Sequence, residues 1–168
     1  MKKLIIMMIA FISSMNAFGQ MKDVVDVASG SADHTTLVAA IKAADLVATL
    51  KGEGPFTIFA PNNAAFDKLP AGTVENLLKP ENKAALTKIL TYHVISGNLD
   101  AASVMAAIKS GMGKAVLTTI NGEKLIATIK MDKVELLDAS GNTAYVIATD
   151  LKASNGIIHV IDAVVLPK

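Results

Sequence analysis

Residues 155–167 read Asn155-Gly156-Ile157-Ile158-His159-Val160-Ile161-Asp162-Ala163-Val164-Val165-Leu166-Pro167. The stretch from Ile157 to Leu166 is nearly continuous apolar sequence, which is typical of a strand that is covered on both faces and lies centrally in a sheet. Asn155-Gly156 is a turn signal, and we expect Gly156 to stand where a Cβ would be costly. This stretch therefore predicts a sheet with structure packed on both of its sides.

The rest of the sheet is predicted from other short segments. Phe56 to Ala60 reads as a strand that ends at Pro61-Asn62. Period-two alternation then predicts strands over residues 115–120, 124–130, 133–137 and 145–149. Asn121-Gly122 is a strong hairpin signal between the first two of these.

Helical spacing precedes most of these strands. It predicts helices over residues 33–51 and 81–90, and a third in which Asp100 caps a helix with Val104 and Ile108 on one face. Helices that come first and strands that follow indicate the α+β class rather than alternating β/α units.

Composition excludes several kinds of protein. The chain has 168 residues, enough for one ordinary domain, with 52% hydrophobic residues and a formal charge of +1. It contains no arginine, so it offers no guanidinium fork for phosphate or bases, and we expect no nucleic-acid partner. It contains no cysteine, which excludes disulfides, thiolate metal sites and a lipid anchor on cysteine.

The first nineteen residues have the layout of a bacterial secretory signal peptide. Met1-Lys2-Lys3 is positively charged, residues 4–12 are apolar, and Ala17-Phe18-Gly19 has small residues at both ends. We expect cleavage after Gly19, a single domain over residues 20–168, and a secreted or periplasmic location. The apolar run is too short to span a bilayer, and the alternative is a buried N-terminal helix or an uncleaved anchor.

No pattern indicates catalysis or a cofactor. His34, His93 and His159 lack metal-ligand spacing. His34 is expected to be exposed or capping, and His93 to be buried and hydrogen-bonded. His159 and Asp162 should point to opposite sides of one strand, so with Asn155 they are interpreted as structural polar residues. We therefore expect no catalytic, cofactor-binding or metal-binding residues.

Four blocks of the sequence, in order, resemble those of the fasciclin domain. They are Phe56–Phe66, the Tyr-His segment Leu86–Gly97, the hairpin Thr119–Glu123 and Asn155–Pro167. With the segment 37–50 they cover essentially all of residues 22–167. The resemblance implies an α+β fold of the fasciclin type, a compact β-sandwich or wedge with helices packed against it.

The resemblance also implies a function. Fasciclin domains are extracellular or periplasmic, many act in adhesion or matrix contacts, and they are not known as a catalytic family. In animal members the Tyr-His segment is implicated in adhesion, and here it maps to Tyr92 and His93, flanked by Leu90, Val94 and Ile95. We therefore expect an exported adhesion or interaction module with a protein, cell-surface or matrix partner. The alternative is a small-molecule binder with a cleft between the sheet and the helices.

Overall fold

The structure is a computed structural model that describes residues 21–168, so the predicted signal peptide lies outside the described residues. The helices are α1 (Val24–Ser29), α2 (Thr35–Ala43), α3 (Val47–Leu50), α4 (Asn63–Asp67), α5 (Thr73–Leu77), α6 (Lys83–Tyr92) and α7 (Ala101–Ser110). Short 3-10 turns, Ala32–His34 and Pro80–Asn82, precede α2 and α6. The strands are β1 (Phe56–Pro61), β2 (Val94–Ser96), β3 (Lys114–Thr118), β4 (Lys124–Lys130), β5 (Lys133–Leu137), β6 (Thr143–Ala153) and β7 (Gly156–Ile161).

Short polar side chains begin several of these helices. Asp23 accepts hydrogen bonds from the N–H groups of Val25 and Asp26 in α1. Asn62 accepts from Ala65 at the start of α4, and Asp100 accepts from Ser103 in α7. The helix predicted over residues 33–51 is interrupted, because Asp45 adopts a left-handed φ of 61° between α2 and α3. Such a residue ends one helix and redirects the chain into the next.

One sheet holds all seven strands in the order β2-β1-β7-β6-β5-β4-β3. Its neighbours are antiparallel except for β1 and β7, which run parallel. A bridge between Ile95 and Thr119 joins β2 to the end of β3, so the sheet is nearly closed. The predicted α+β class, with helices packed against the sheet, is confirmed.

Strand β7 occupies the inner position that its composition predicts. All six of its residues are buried, and it lies between β1 and β6. It ends at Ile161 rather than at the predicted Leu166. The apolar residues after Ile161 leave the sheet but are still buried. Val164 packs into one of the two hydrophobic clusters of the protein and Val165 packs into the other.

Two hydrophobic clusters lie on opposite sides of the central strands. Ile58 and Ile158 lie on the side of the sheet against which helices α1 to α6 pack. Phe59 and Ile161 lie on the other side, inside the curved sheet, which α7 covers. Adjacent residues of one strand thus enter different cores, as the pleat requires.

Gly156 begins β7 against the backbone of β1. A Cβ placed on it would lie 2.2 Å from the carbonyl oxygen of Phe56. The expected need for glycine here is confirmed, and the reason is the close approach of two parallel strands.

Candidate functional site

The Tyr-His segment lies in the interior, where α6 ends and β2 begins. Its five predicted site residues are close together along this turn and all are buried: Leu90, Tyr92, His93, Val94 and Ile95. In this conformation their side chains present almost no surface to a partner. Tyr92 and His93 instead make hydrogen bonds within the molecule.

Tyr92 joins two segments of the curved sheet. Its hydroxyl donates to the carbonyl oxygen of Lys124 at 2.8 Å and accepts from the N–H of Ala139 at 3.0 Å. Burial raises the pKa of Tyr92, so the phenol is neutral at pH 7. The ring therefore fixes the start of β4 and the turn between β5 and β6 around the end of α6.

His93 joins α6 to the last residues of the chain. Its Nδ1 lies 2.8 Å from the carbonyl oxygen of Ile89, and its Nε2 lies 3.2 Å from the N–H of Val165. Because a backbone N–H can only donate, Nε2 accepts and the proton is on Nδ1. Burial lowers the pKa of His93 to about 4, so the ring is neutral at pH 7.

Asp138 holds the same C-terminal segment and was not predicted. One of its carboxylate oxygens accepts from the N–H groups of Ser140 and Asn142 at 2.9 and 2.8 Å, and the other accepts from Leu166 at 2.8 Å. The residues that follow it, Ser140-Gly141-Asn142, are a turn signal, which is the only local sign of its role in the sequence. The contact with Leu166 depends on the tertiary fold and has no signature in the sequence.

His159 and Asp162 do not contact each other. Nε2 of His159 donates to the carbonyl oxygen of Leu99 at 2.7 Å. Asp162 accepts from the N–H of Tyr145 at 2.7 Å and pairs with Lys68 at 3.3 Å. The two residues thus stabilise different parts of the fold and do not form an acid–base dyad.

Asn155 connects three segments at one end of the sheet. Its side-chain oxygen accepts from the N–H of Val24 at 3.0 Å, and its amide donates to the carbonyl oxygens of Leu50 and Gly52 at 2.8 and 3.0 Å. This residue forms part of the wall of an open groove of about 760 Å³. The groove is lined by residues 51–55, Asn98 and residues 152–157.

The groove has a polar rim with charges of both signs. Lys51 is paired with Asp23 at 2.8 Å and with Asp26 at 2.6 Å. Glu53 and Lys152 are exposed, and neither has an ion-pair partner among residues 21–168. The groove therefore presents two side-chain charges without ion-pair partners, those of Glu53 and Lys152, to the solvent.

A second cavity, of about 340 Å³, lies between α1 and the sheet. Its lining is mainly apolar, and its polar side chains are those of Lys22, Ser31 and His34. The other residues that line it are Val27, Ala28, Gly30, Ala60, Leu151 and Ile158. His34 occupies the N-cap position of α2, but the expectation that it is exposed is wrong. Its ring is buried and makes no capping bond, because it ends a 3-10 turn that packs against the core.

His34 carries an unpaired polar atom. Its Nδ1 lies 2.8 Å from the hydroxyl of Ser31, whereas its Nε2 has no hydrogen-bond partner. It is the one such buried side-chain atom in the part of the chain that the structure describes. Leaving a buried polar atom without a hydrogen bond costs free energy, so this atom requires an explanation.

Two kinds of feature are absent from residues 21–168. No group of three or more histidine, aspartate or glutamate side chains there has an arrangement that would hold a metal ion. No helix in this range combines the length and the apolar character needed to cross a membrane.

Comparison with known proteins agrees with the resemblance seen in the sequence. The family model described as "Fasciclin domain" matches residues 32–167. Protein sll1483 of Synechocystis sp. is 52% identical over 144 residues, which are 86% of this chain and 73% of that protein. Immunogenic protein MPB70 of Mycobacterium bovis is 37% identical over 155 residues, which are 89% of this chain and 72% of that protein.

A solved structure shares the fold. It is described as a FAS1 domain pair from the insect cell adhesion molecule Fasciclin I, and it matches with a TM-score of 0.74 at 18% sequence identity. The match covers 86% of this chain and 51% of the other, so this chain spans about half the length of that pair.

Proposed function

Because this chain belongs to the fasciclin domain family, we propose that it is an exported adhesion or interaction module that binds a protein or matrix partner. Support comes from the solved domain pair with the same fold, which is described as part of an insect cell adhesion molecule. The partner is proposed to lie in the cell envelope or in the surrounding matrix.

The open groove beside Asn155 is the structural observation that carries this proposal. Its volume of about 760 Å³ and its open form suit a segment of a macromolecule. Exposed Glu53 and Lys152 offer unpaired charges of opposite sign at its rim, and such charges steer and orient a charged partner.

The proposal includes a location outside the cytoplasm and an absence of catalysis. The charged start, the apolar run and the small residues before Gln20 support export. His93 and His159 are buried, and both nitrogens of each ring already have partners within the fold. Neither imidazole is therefore free to act as a general acid or base.

Binding to surfaces coated with envelope fractions or matrix proteins tests the groove. Ser154→Arg places a long cation in the groove, and we expect it to weaken retention of the protein at least tenfold. Thr118→Arg is the matched control, because Thr118 is also exposed but lies in β3 and does not line the groove. Equal retention of both variants, with equal thermal stability, would contradict a role for the groove.

A direct role for Tyr92 and His93 in adhesion remains a proposal that rests on the family resemblance. Their burial means that contact with a partner would require the end of α6 to open. If Tyr92→Phe loses binding while it keeps full stability, the pair contacts the partner. If binding falls only in step with stability, its effect comes through the fold.

A second function, binding of a small molecule, is favoured by His34. The Ser31 hydroxyl lies 2.8 Å from Nδ1 of His34, and its oxygen also accepts a hydrogen bond from the N–H of Asp33. In the tautomer that this function uses, the hydroxyl donates to Nδ1 and the ring proton is on Nε2, the atom without a partner. The expected ligand has an apolar body and an acceptor group such as a carboxylate, which Lys22 would also attract.

Fluorescence titration with anilinonaphthalene sulfonate, an apolar anion, tests this second function. We expect saturable binding that falls about tenfold in His34→Phe, which keeps an aromatic ring but removes the donor. Ser31→Ala should weaken binding in the same direction, since it releases the ring proton from Nε2. Weak binding by the parent protein, or equal binding by His34→Phe, would exclude this site without affecting the adhesion proposal.

A further inference from the structure

Two segments at one end of the curved sheet share an unusual composition. Residues 109–114 and 129–133, here called the methionine–lysine end, contain Met112, Ile129 and Met131 together with four lysines and one carboxylate, Asp132. The register brings the segments to the same end, because Lys114 pairs with Thr128 and Lys130 pairs with Lys133.

Both methionines project into solvent. Met112 is 96% exposed and Met131 is 80% exposed, whereas Ile129 at the end of β4 is about one-third exposed, at 38%. Scattered exposed apolar residues are ordinary, but fully projecting methionines on neighbouring turns form a localised apolar tip.

The backbone makes these methionines costly. Met112 has a φ of 56°, just after α7, and Met131 has a φ of 50° in the two-residue turn between β4 and β5. Glycine, asparagine or aspartate is preferred at such left-handed positions. Neither the turn geometry nor the core explains methionine at these two positions.

The charges around this tip are mostly positive. Among the ion pairs of residues 21–168, Lys130 pairs with Glu135 at 3.2 Å, and Lys109, Lys114 and Lys133 have no partner. The whole chain has a formal charge of only +1, so this cationic end is a local property. Long lysine side chains can extend their charge to a surface while their stems lie along apolar groups.

We propose that the methionine–lysine end docks on an anionic lipid surface, with Met112 and Met131 entering the interface and the lysines contacting lipid headgroups. A convex tip of flexible apolar side chains surrounded by ammonium groups suits a soft interface of this charge. An acidic protein would instead need a concave face to receive the two turns. The inference is independent of the proposed groove, which lies at residues 51–55 and 152–157.

Sedimentation with vesicles tests the proposal. The proteins compared span residues 20–168, which include every described helix and strand. We expect binding to mixed phosphatidylglycerol and phosphatidylcholine vesicles, no binding to pure phosphatidylcholine, and loss of binding in high salt. Replacing Lys109, Lys114 and Lys133 by glutamine should weaken binding by roughly fivefold per lysine.

The methionine variants distinguish docking from a structural role. The double variant Met112→Asn, Met131→Asn is expected to bind vesicles about threefold more weakly or worse. Its thermal midpoint should stay the same or rise, because asparagine tolerates left-handed φ better than methionine. A merely structural role would lower both quantities together.

Matched controls complete the experiment. Met21→Asn removes a methionine that is 79% exposed elsewhere on the surface, and Lys42, Lys79 and Lys124 provide a triple glutamine control. We expect neither control to change vesicle binding by more than twofold. Absence of binding to anionic vesicles, equal losses in variants and controls, or retention on an immobilised acidic polypeptide without vesicle binding would each overturn the proposal.

Discussion

The imidazole of His93 accepts a hydrogen bond from the N–H of Val165, 72 residues further along the chain. The next N–H, that of Leu166, is bound by the carboxylate of Asp138. Two successive backbone groups of the C-terminal segment are thus held by two different parts of the fold. The first of these bonds exists only while His93 is neutral, since protonation would place a second donor on Nε2.

Acid is therefore expected to destabilise the protein through His93. Its pKa is about 4 in the folded protein, compared with about 6.5 when unfolded, so the unfolded chain takes up the proton first as pH falls. The stabilisation is fully present above pH 6.5 and is lost progressively as the pH falls to 4. The loss in unfolding free energy should be about 3 kcal/mol, measured by urea denaturation at several pH values.

The control for this pH dependence is His93→Gln. We expect it to be less stable at pH 7 but to show a flatter dependence between pH 6.5 and pH 4. Burial also lowers the pKa of His34, so His34→Gln measures what that ring contributes to the same pH range. An unchanged slope in His93→Gln would show that His93 is not the group responsible.

Tyr92→Phe is expected to lower the free energy of unfolding by about 1–3 kcal/mol. It keeps the buried ring but leaves the N–H of Ala139 and the carbonyl oxygen of Lys124 without the hydroxyl that they share. Thermal and chemical denaturation measure the loss, and Tyr145→Phe, which removes a hydroxyl bound to Glu135, is a comparison on the outer face of the sheet. Stability equal to that of the parent would show that this hydroxyl does not hold the two segments.

Ile161→Ala is expected to cost about 2–5 kcal/mol. Its side chain is fully buried at the end of β7, and truncation would leave a cavity in the core inside the curved sheet. Ile147→Ala removes the same atoms from a side chain that is 48% exposed in β6, and it should cost much less. Equal denaturation midpoints for the two variants would mean that β7 is not a core strand.

Gly156→Ala is expected to be far more damaging than an ordinary glycine replacement. The new methyl group would meet the carbonyl oxygen of Phe56 at 2.2 Å, so the parallel strands would have to separate. Gly30→Ala is the control, since its Cβ would have only ordinary contacts at 3.4 Å and beyond. If Gly156→Ala gave well-folded protein with an unchanged midpoint, the strands would not be packed as described.

Export can be checked at the N-terminus of the protein. Sequencing of material recovered outside the cytoplasm is expected to begin at Gln20. Ala17→Phe should impair this cleavage, because a bulky residue replaces a small one before the expected site. Cytoplasmic protein that begins at Met1 would contradict both the cleavage and the location.

The sequence predicted most of the fold because local rules and tertiary structure agree along much of the chain. Asp100 caps the expected helix, and Asn121-Gly122 lies in the expected hairpin, where Gly122 has a φ of 87°. The predicted end of β7 was wrong because periodicity cannot separate strand residues from apolar residues that pack after the strand. The break at Asp45 was missed because its left-handed φ has no strong local signal.

The interior polar residues were predictable only in part. The burial of His93 follows from its helical spacing after the apolar residues Ile89 and Leu90, and that prediction is confirmed. Asp138 looked like an ordinary turn residue, since its bond to Leu166 spans 28 positions. His34 looked exposed because the 3-10 turn that directs its ring inward gives no clear pattern in the sequence.

The parallel pairing of β1 with β7 also constrains when the protein can fold. Phe56 pairs with Gly156, so the centre of the sheet forms only after almost the whole chain is available. In a polypeptide that is still being synthesised or translocated, the backbone groups of β1 that pair with β7 lack their hydrogen-bond partners. Unpaired strand edges of this kind promote aggregation. Contacts this distant in sequence also slow folding. This topology therefore requires that a nascent chain avoid aggregation until β7 has emerged.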